Sequence, residues 1–140
     1  GWLAWFAIRA LQGQSITIYG DGKQVRDVLY IDDLIAAYDA CVERIATTSG
    51  QAYNIGGGPH NTLSLLELLD MLKDLLGRRV PVGYDDWRPG DQKVYVSDIR
   101  KAQRVLGWKP TVSPATGVRR LHEWIRANPR LFRGAPAARR

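Results

Sequence analysis

One strongly amphipathic helix limits the folds that are open to this chain. Between residues 64 and 77, leucines recur at three- and four-residue spacing, which places them on one side of an α-helix. Ser64 and Glu67 have the spacing of a capping box, and Gly77 stands where a left-handed residue ends a helix. Because a wide apolar helical face must be buried, we expect other elements to form a packed core around this helix.

The rest of the pattern alternates short strands with helices, which is typical of an α/β fold. The expected strands are Ile16–Tyr19, Val25–Ile31, Ala52–Ile55, Val80–Tyr84 and Lys93–Val96. Further helices are expected before Gln12, after a cap at Asp32-Asp33, after Asp98 and after Ser113-Pro114. In the helix after Asp32-Asp33, the apolar face would consist of Leu34, Tyr38, Cys41, Val42 and Ile45.

Composition favours one globular domain that stays in solution. The chain has 140 residues with 45% hydrophobic side chains, enough to bury about two thirds of the unfolded surface. No apolar run approaches the roughly 20 residues that span a bilayer, so we expect no membrane partner. Cys41 is the only cysteine, which suits a reducing cytoplasm. His60 and His122 are too far apart in sequence to suggest a metal site.

The net charge of +6 invites a nucleic-acid-binding interpretation, but most of that charge lies at one end of the chain. Residues 129–140 hold four arginines and no acid, which leaves +2 for residues 1–128. The terminal segment is rich in Pro, Ala and Arg and has little to bury. We therefore expect a domain at 1–128, a flexible basic tail at 129–140, and no nucleic-acid partner; the nucleic-acid alternative has only net charge in its favour.

Two short patterns look like cofactor or catalytic motifs and fail on geometry. Gly56-Gly57-Gly58 resembles a dinucleotide loop, but Asn61 stands where the third glycine is needed. We expect a turn there, and a phosphate-binding role remains the weaker alternative. Tyr19 and Lys23 fit Tyr-x-x-x-Lys, yet two glycines between them favour a turn, so the side chains would not share a helical face.

Four segments, taken in order, resemble one enzyme family. They are Gln24–Leu34, similar to an Arg-Asp-x-x-x-Val-x-Asp signature, Ala52–Gly57 with Ser64–Leu68, the Arg-x-Gly-Asp loop Arg88–Asp91, and the closing block Ser97–Pro110. Together they extend over roughly 100 residues, which makes the match far more specific than a lone short motif. The chain resembles the extended short-chain dehydrogenase/reductases, in particular the NAD-dependent nucleotide-sugar epimerases and dehydratases.

The resemblance implies an α/β fold that forms the carboxy-terminal, substrate-binding part of such an enzyme, at residues 1–128. The strand Ala52–Ile55 and the helix from Asp33 would belong to a Rossmann domain whose other elements are missing from this chain. The missing amino-terminal domain would hold NAD and the catalytic Tyr-x-x-x-Lys, so we expect this chain to be inactive alone. An unpaired parallel strand should expose an apolar edge, so we also expect self-association.

The same resemblance implies a nucleotide-diphosphate sugar as the ligand. Arg26 corresponds to the arginine that binds the diphosphate, which suits a guanidinium because it offers paired donors to phosphate oxygens. Arg88 corresponds to a second diphosphate or ribose contact, and Asp91 to the acid that holds a ribose hydroxyl. Thr17 and Tyr19 fall on the strand that lies against the base, where an aromatic ring can stack. The alternatives are solvated charges for the arginines and core packing for the strand residues.

Within the family, three segments most resemble the epimerases that act on CDP-sugars at carbon 2. These segments are Gly1–Phe6, Gln24–Leu29 and Asp91-Gln92. The alternatives are enzymes of the UDP-glucose 4-epimerase type, dTDP-glucose 4,6-dehydratases, and a stand-alone module that binds nucleotide sugars without a catalytic half.

Overall fold

The computed structural model describes residues 1–132 of the chain. Its helices are α1 (Trp2–Leu11), α2 (Ile31–Glu43), α3 (Ile45–Thr48), α4 (Leu65–Leu76), α5 (Arg100–Leu106) and α6 (Pro114–Ala127), followed by a 3-10 turn at Pro129–Phe132. Its strands are β1 (Ile16–Tyr19), β2 (Val25–Asp27), β3 (Thr62–Ser64), β4 (Val82–Asp85) and β5 (Val94–Tyr95). The predicted α/β class is confirmed. Within residues 1–132, no helix has the length and apolarity needed to cross a membrane.

The strands form two small sheets that place the candidate site. β1 pairs in parallel with β4, with Tyr19 opposite Asp85. In the second sheet, β2 lies between antiparallel β3 and parallel β5, with Arg26 opposite Tyr95. Tyr19 and Arg26 therefore both lie next to the segment that joins β4 to β5.

The strand predicted at Ala52–Ile55 is not formed. In the described part of the chain no strand pairs with this segment, and a β-strand is defined by its hydrogen bonds to a neighbour. The Tyr53 and Ile55 side chains instead pack beside α2 and α5. The segment keeps its apolar packing without joining a sheet.

Helix α4 organises the main hydrophobic core, as the leucine spacing predicts. Leu68 and Leu72 are fully buried, and they pack with residues of α1, β1 and α6. Ser64 and Glu67 form the predicted capping box, and Gly77 ends the helix with φ 65°. A cap contributes about 1 kcal/mol, whereas burying one leucine contributes roughly 2 kcal/mol, so packing dominates the stability of this helix.

The capping box makes part of the stability depend on pH. The Ser64 backbone N–H donates to Glu67 Oε2 at 2.7 Å, and this bond, together with the Ser64 hydroxyl, lowers the pKa of Glu67 from its ordinary 4.5. A lowered carboxyl pKa stabilises the fold above pH 4.5, and that contribution is lost as the pH falls through the folded-state pKa. In urea unfolding, we expect Ser64→Ala to cost about 1 kcal/mol at neutral pH and less in acid.

The variant Glu67→Gln is the control for this pH dependence because its side chain cannot titrate. We expect Glu67→Gln to have a lower free energy of unfolding than the wild type at neutral pH and about the same free energy of unfolding in acid. A difference between wild type and Ser64→Ala that stays constant on acidification would contradict the role of the box.

A second, smaller core joins α2 to α5. Ala37 of α2 and Leu106 of α5 are buried in it together with Trp108. The helix α5 ends at Gly107, which has a left-handed conformation with φ 65°. This core fixes the segment that follows α5 against α2.

The expectation that Asp33 caps α2 is wrong. Tyr30 is the first flanking residue of the helix, and no side chain caps it. Asp33 is only 4% exposed, and its carboxylate accepts hydrogen bonds from the Thr111 N–H at 3.0 Å, the Thr111 hydroxyl at 2.7 Å and the Val112 N–H at 3.0 Å. Its carbonyl accepts from Trp108 Nε1 at 2.8 Å. Asp33 therefore fastens the closing block of the chain to the first turn of α2.

An apolar stripe on α2 is left uncovered by the described residues. Its members follow three- and four-residue spacing and are 49–70% exposed: Ile31, Ile35, Tyr38, Val42 and, in α3, Ile45. Tyr38, Val42 and Ile45 of the predicted apolar face are thus exposed, because only the side of α2 near Ala37 is packed within the described residues. A helix that is apolar on two sides normally packs against other elements on both of them. In the described residues, only one side of α2 is packed.

The end of the described chain differs from the expected flexible tail. Pro129–Phe132 forms a 3-10 turn, and Phe132 packs edge-on against Trp124 with ring centroids 5.6 Å apart. The Phe132 carbonyl accepts from the Gln12 side chain at 2.9 Å, which ties this turn to the end of α1. The rest of the predicted tail, residues 133–140, lies outside the described residues.

Candidate functional site

The outer face of β1 carries two of the predicted ligand residues. Ile16 and Ile18 are fully buried, so strand alternation places Thr17 and Tyr19 on the opposite face. Thr17 is exposed and lies opposite Gly83, whose lack of a side chain leaves the sheet surface open there. Tyr19 is half-buried at the end of the strand.

Arg88 covers one face of the Tyr19 ring. The central carbon of its guanidinium lies 3.6 Å from the ring centroid, a close cation–π contact. The backbone holds Arg88 in a tight turn, because the Asp91 N–H donates to the Arg88 carbonyl at 3.1 Å. The sequence suits such a turn, since Pro89 fixes its own φ and Gly90 adopts φ 80°.

Arg26 reaches the same turn from β2. Its guanidinium donates to the Val25 carbonyl at 2.8 Å and to the Gln92 carbonyl, and it lies 3.7 Å from the Asp91 carboxylate. The Arg26 side chain is 21% exposed and that of Asp91 is 34% exposed. An ion pair this accessible to solvent contributes up to about 1 kcal/mol, so its main effect is to orient the guanidinium. A guanidinium has five N–H donors, which leaves donors for a ligand after these two hydrogen bonds.

Four of the five predicted ligand residues therefore meet around one turn. Tyr19 contacts Arg88, Arg26 contacts Asp91, and Arg88 and Asp91 belong to the same turn. Thr17 shares the outer face of β1 with Tyr19 and lies two residues before it. The turn brings together two cations and one carboxylate, and Asp85 and Asp86 stand three and two positions before Arg88 in the sequence. Such an arrangement suits an anion with several oxygen acceptors.

Two further residues, which the sequence patterns do not single out, shape this site. Gln24 is 6% exposed, and its amide donates to the Tyr19 carbonyl at 2.8 Å, which joins the end of β1 to the start of β2. The Gln24 Oε1 atom is buried and has no hydrogen-bond partner within residues 1–132. Trp87 lies over Gly20, where a Cβ atom would come within 2.3 Å of the indole. The one sequence signal for them is position, since Gln24 begins the family segment Gln24–Leu34 and Trp87 stands just before the Arg88–Asp91 loop.

The two motif-like patterns both form turns. Tyr19 ends β1, and Lys23 follows a turn whose two glycines have φ of 86° and 76°. Tyr19 and Lys23 therefore do not lie on one helix. Gly56–Gly58 is a buried turn in which the Gly58 N–H donates to the Asp27 carboxylate at 2.9 Å. The run bends at Gly56 and leads into a turn in which the Asn61 N–H donates to the Gly58 carbonyl, and it packs against the end of β2, Val28, Ser97 and Ile99.

A cleft of about 440 Å³ lies away from the Arg88–Asp91 turn. It opens between the Gly56–Gly58 turn and the segment after β5, and its lining includes neither Arg26 nor Arg88. The residues with matched charges and donors meet at the turn, so we place the candidate site there. In this chain the turn is an open surface, whereas small-molecule sites are usually enclosed by walls on several sides.

Comparison with known proteins identifies the family of the chain. The family model described as GDP-mannose 4,6 dehydratase matches residues 3–121. CDP-paratose 2-epimerase from Salmonella typhi is 38% identical over 129 residues, which are 89% of this chain and 38% of that protein. dTDP-glucose 4,6-dehydratase from Salmonella typhimurium is 37% identical over 129 residues, which are 86% of this chain and 35% of that protein.

A solved structure shows the same fold. UDP-glucuronic acid 4-epimerase from Bacillus cereus, in complex with UDP-glucuronic acid and NAD, matches 87% of this chain and 38% of its own with a TM-score of 0.79 at 33% identity. The chain thus spans little more than a third of the length of the relatives that it matches. Since the family model covers most of the chain, the predicted membership is confirmed. The chain belongs to the GDP-mannose 4,6 dehydratase family of nucleotide-sugar epimerases and dehydratases, within the extended short-chain dehydrogenase/reductases.

Proposed function

We propose that this chain is the nucleotide-sugar-binding part of an NAD-dependent nucleotide-sugar epimerase. The observation that carries the proposal is the meeting of Arg26, Arg88 and Asp91 at one exposed turn. Two guanidinium groups offer paired N–H donors to the oxygens of a diphosphate, and both stay charged at any physiological pH. Asp91 would accept a hydrogen bond from a ribose hydroxyl, and Thr17 and Tyr19 would face the base.

The Arg26 guanidinium is available to a phosphate group. Its distance of 3.7 Å from the Asp91 carboxylate is too long for a hydrogen bond. A phosphate oxygen can therefore take guanidinium donors without breaking a strong bond to Asp91. The two backbone carbonyls that accept from Arg26 hold the side chain in place beforehand, which reduces the entropy lost on binding.

The glycine run Gly56–Gly58 does not fit the diphosphate of NAD. Gly56 and Gly57 pack so closely against Ser97 and Val28 that a Cβ atom on either would lie within 2.3 Å of them, so the turn presents no open cradle for a phosphate. NAD and a catalytic Tyr-x-x-x-Lys would come from the remainder of a longer protein, in keeping with the partial coverage of the relatives. We therefore propose that the 140-residue chain alone catalyses no epimerisation.

CDP-sugars are the substrate class that we favour, with epimerisation at carbon 2. The support is the 38% identity to CDP-paratose 2-epimerase together with the resemblance of Gly1–Phe6 and Gln24–Leu29. The identity of 37% to dTDP-glucose 4,6-dehydratase makes a dehydratase-like parent the next candidate. A UDP-glucose 4-epimerase-like parent and a stand-alone nucleotide-sugar-binding module follow as weaker candidates.

Calorimetric titration of the chain with nucleotides tests the proposal. We expect CDP, UDP and dTDP to bind more weakly than about micromolar, because part of the pocket is supplied by other residues and affinity needs preorganised contacts. Cytidine, which lacks the diphosphate, should bind far more weakly than CDP. Micromolar or tighter binding of a CDP-sugar would favour the stand-alone module. Failure of every diphosphate to bind would refute the proposal.

We also propose that the uncovered stripe of α2 makes the chain self-associate. Ile35, Tyr38 and Val42 expose apolar surface, which favours association in water. In sedimentation, the mean mass should rise with concentration, and a Tyr38→Glu/Val42→Glu double variant should shift the chain toward monomer. Leu131→Glu is the matched control, since Leu131 is 66% exposed and lies outside the stripe. A strict monomer that unfolds cooperatively at all concentrations would contradict this expectation.

A further inference from the structure

Two of the residues proposed to hold a nucleotide cover each other in the structure. The central carbon of the Arg88 guanidinium lies 3.6 Å from the Tyr19 ring centroid. Carbon atoms in van der Waals contact are about 3.5–4.0 Å apart, so a nucleobase cannot share this face of the ring with the guanidinium. In the free chain Arg88 therefore occupies one stacking surface of Tyr19.

A nucleotide would approach Tyr19 on the face that Arg88 covers. In a nucleoside diphosphate a single ribose joins the base to the diphosphate, so the two groups must bind close together. Arg26 and Asp91 lie 3.7 Å apart at the turn that also holds Arg88. A base linked to a diphosphate at this turn reaches the side of the Tyr19 ring that faces the turn, and Arg88 lies on that side.

The side chain of Arg88 is free to move, whereas the backbone around it is held. The Asp91 N–H donates to the Arg88 carbonyl at 3.1 Å, and Trp87 packs so closely on Gly20 that a Cβ atom there would lie 2.3 Å from the indole. The Arg88 side chain is exposed, and none of the ion pairs in the described part of the chain includes it. Exposed side chains change rotamer within nanoseconds. The contact that must break is therefore the cation–π contact with Tyr19.

We propose that a nucleotide displaces Arg88 from Tyr19, so that the base takes the ring face and the guanidinium turns to the diphosphate. This inference rests on the proposed function, since it requires a nucleoside diphosphate at Arg26 and Arg88. A nucleoside must displace the guanidinium without offering it an acceptor. The contact therefore weakens the binding of nucleosides, and the diphosphate of a nucleotide offsets this cost.

Nuclear magnetic resonance titrations of the 140-residue chain with cytidine and with CDP test the displacement. In Arg88→Ala the Tyr19 ring is uncovered, so we expect cytidine to bind about two- to fivefold more tightly than it binds the wild type, the effect of one exposed cation–π contact. CDP should bind this variant at least about threefold more weakly, because the loss of a charged donor to phosphate outweighs the uncovered ring. Arg26→Gln is the comparison, since it removes a phosphate donor and leaves the ring covered: it should weaken the binding of CDP but not that of cytidine.

The wild-type spectrum gives a second measurement of the same event. Protons over the face of an aromatic ring resonate at higher field because of the ring current. The δ-methylene signals of Arg88, identified by their absence from Arg88→Ala, should therefore lie at high field in the free chain. At saturating CDP they should return to ordinary positions.

The outcomes separate the displacement from the proposed function. If CDP binds the wild type but the Arg88 signals do not move from high field, or cytidine binds Arg88→Ala no more tightly than the wild type, the displacement is wrong and the diphosphate site stands. If CDP does not bind the wild type, the proposed function fails and the displacement fails with it. Circular dichroism checks that the variants fold. If Arg88→Ala does not fold, the Arg88 signals are identified from Arg88→Lys, and their response to CDP in the wild type decides by itself.

Discussion

Replacing Asp33 with alanine should lower the free energy of unfolding by about 3 kcal/mol. The Asp33 carboxylate is 4% exposed and accepts hydrogen bonds of 3.0, 2.7 and 3.0 Å from Thr111 and Val112. Truncation leaves these donors unpaired, which costs more than losing an average hydrogen bond. The melting temperature in thermal unfolding should fall by roughly 10 °C.

The neighbouring carboxylate, Asp32, is the matched control. It lies 3.6 Å from the Arg120 guanidinium and its side chain is 65% exposed, so this ion pair contributes little. We expect Asp32→Ala to change the free energy of unfolding by less than about 0.5 kcal/mol. Equal losses from the two alanine variants would contradict the buried role of Asp33. A loss of about 1 kcal/mol from Asp33→Ala would fit an ordinary helix cap instead.

Replacing Gly57 with alanine should also lower the free energy of unfolding by about 3 kcal/mol. A Cβ atom at this position would lie 2.2 Å from the Val28 carbonyl oxygen and 2.9 Å from the Val28 nitrogen. Both are backbone atoms, so relief of the clash requires the chain after β2 to move. The φ of Gly57 is not positive, so an alanine there has no backbone strain. The loss of stability therefore measures how closely the chain packs against the Val28 backbone. Urea unfolding measures it directly.

Gly83→Ala is the control for this substitution. Gly83 lies exposed on β4, and a Cβ atom there meets nothing within 4 Å, so stability should change by less than about 0.5 kcal/mol. Full stability of Gly57→Ala would show that the turn is not tightly packed. If that variant were stable but lost nucleotide binding, the glycine run would contact phosphate, which is the weaker interpretation of its sequence.

Elements with a local physical cause could be predicted from the sequence. The leucine spacing, the Ser64–Glu67 box and Gly77 each indicate α4, and the structure has all three features. The alternation in Ile16–Tyr19 likewise predicts β1 and the face on which Tyr19 lies. In each case neighbours within one or two turns of chain decide the conformation, so the pattern is sufficient.

Features that depend on distant partners could not be predicted. Asp33 has the spacing of a helix cap. Its buried hydrogen bonds come from Thr111 and Val112, which lie far from it in the sequence. The segment Ala52–Ile55 has a strand pattern but no strand beside it within residues 1–132. The stripe on α2 looks like a buried face, yet the described residues do not cover it. In each case the outcome depends on a neighbour, present or absent, that local sequence does not specify.

In the candidate site, too, local patterns could be predicted from the sequence and contacts between distant segments could not. The family motifs indicate Arg26, Arg88 and Asp91 from short sequence patterns, and the structure brings these residues to one turn. The stacking of Arg88 on Tyr19 and of Trp87 on Gly20 arises from the pairing of β1 with β4, which lie far apart in sequence. The motifs therefore indicated the charged residues that lie at the turn, but not the aromatic contacts around them.

The claim that Arg26 and Arg88 form a diphosphate site can be decided by one calorimetric comparison of CDP binding. The proteins are the wild type, Arg26→Gln, and Arg119→Gln, which removes an exposed arginine of α6 remote in sequence from the site. We expect Arg26→Gln to bind CDP at least about tenfold more weakly, because a charged hydrogen-bond donor to phosphate is lost, and Arg119→Gln to bind like the wild type. Equal affinities of Arg26→Gln and the wild type, or equal losses in both variants, would contradict a specific diphosphate site at Arg26.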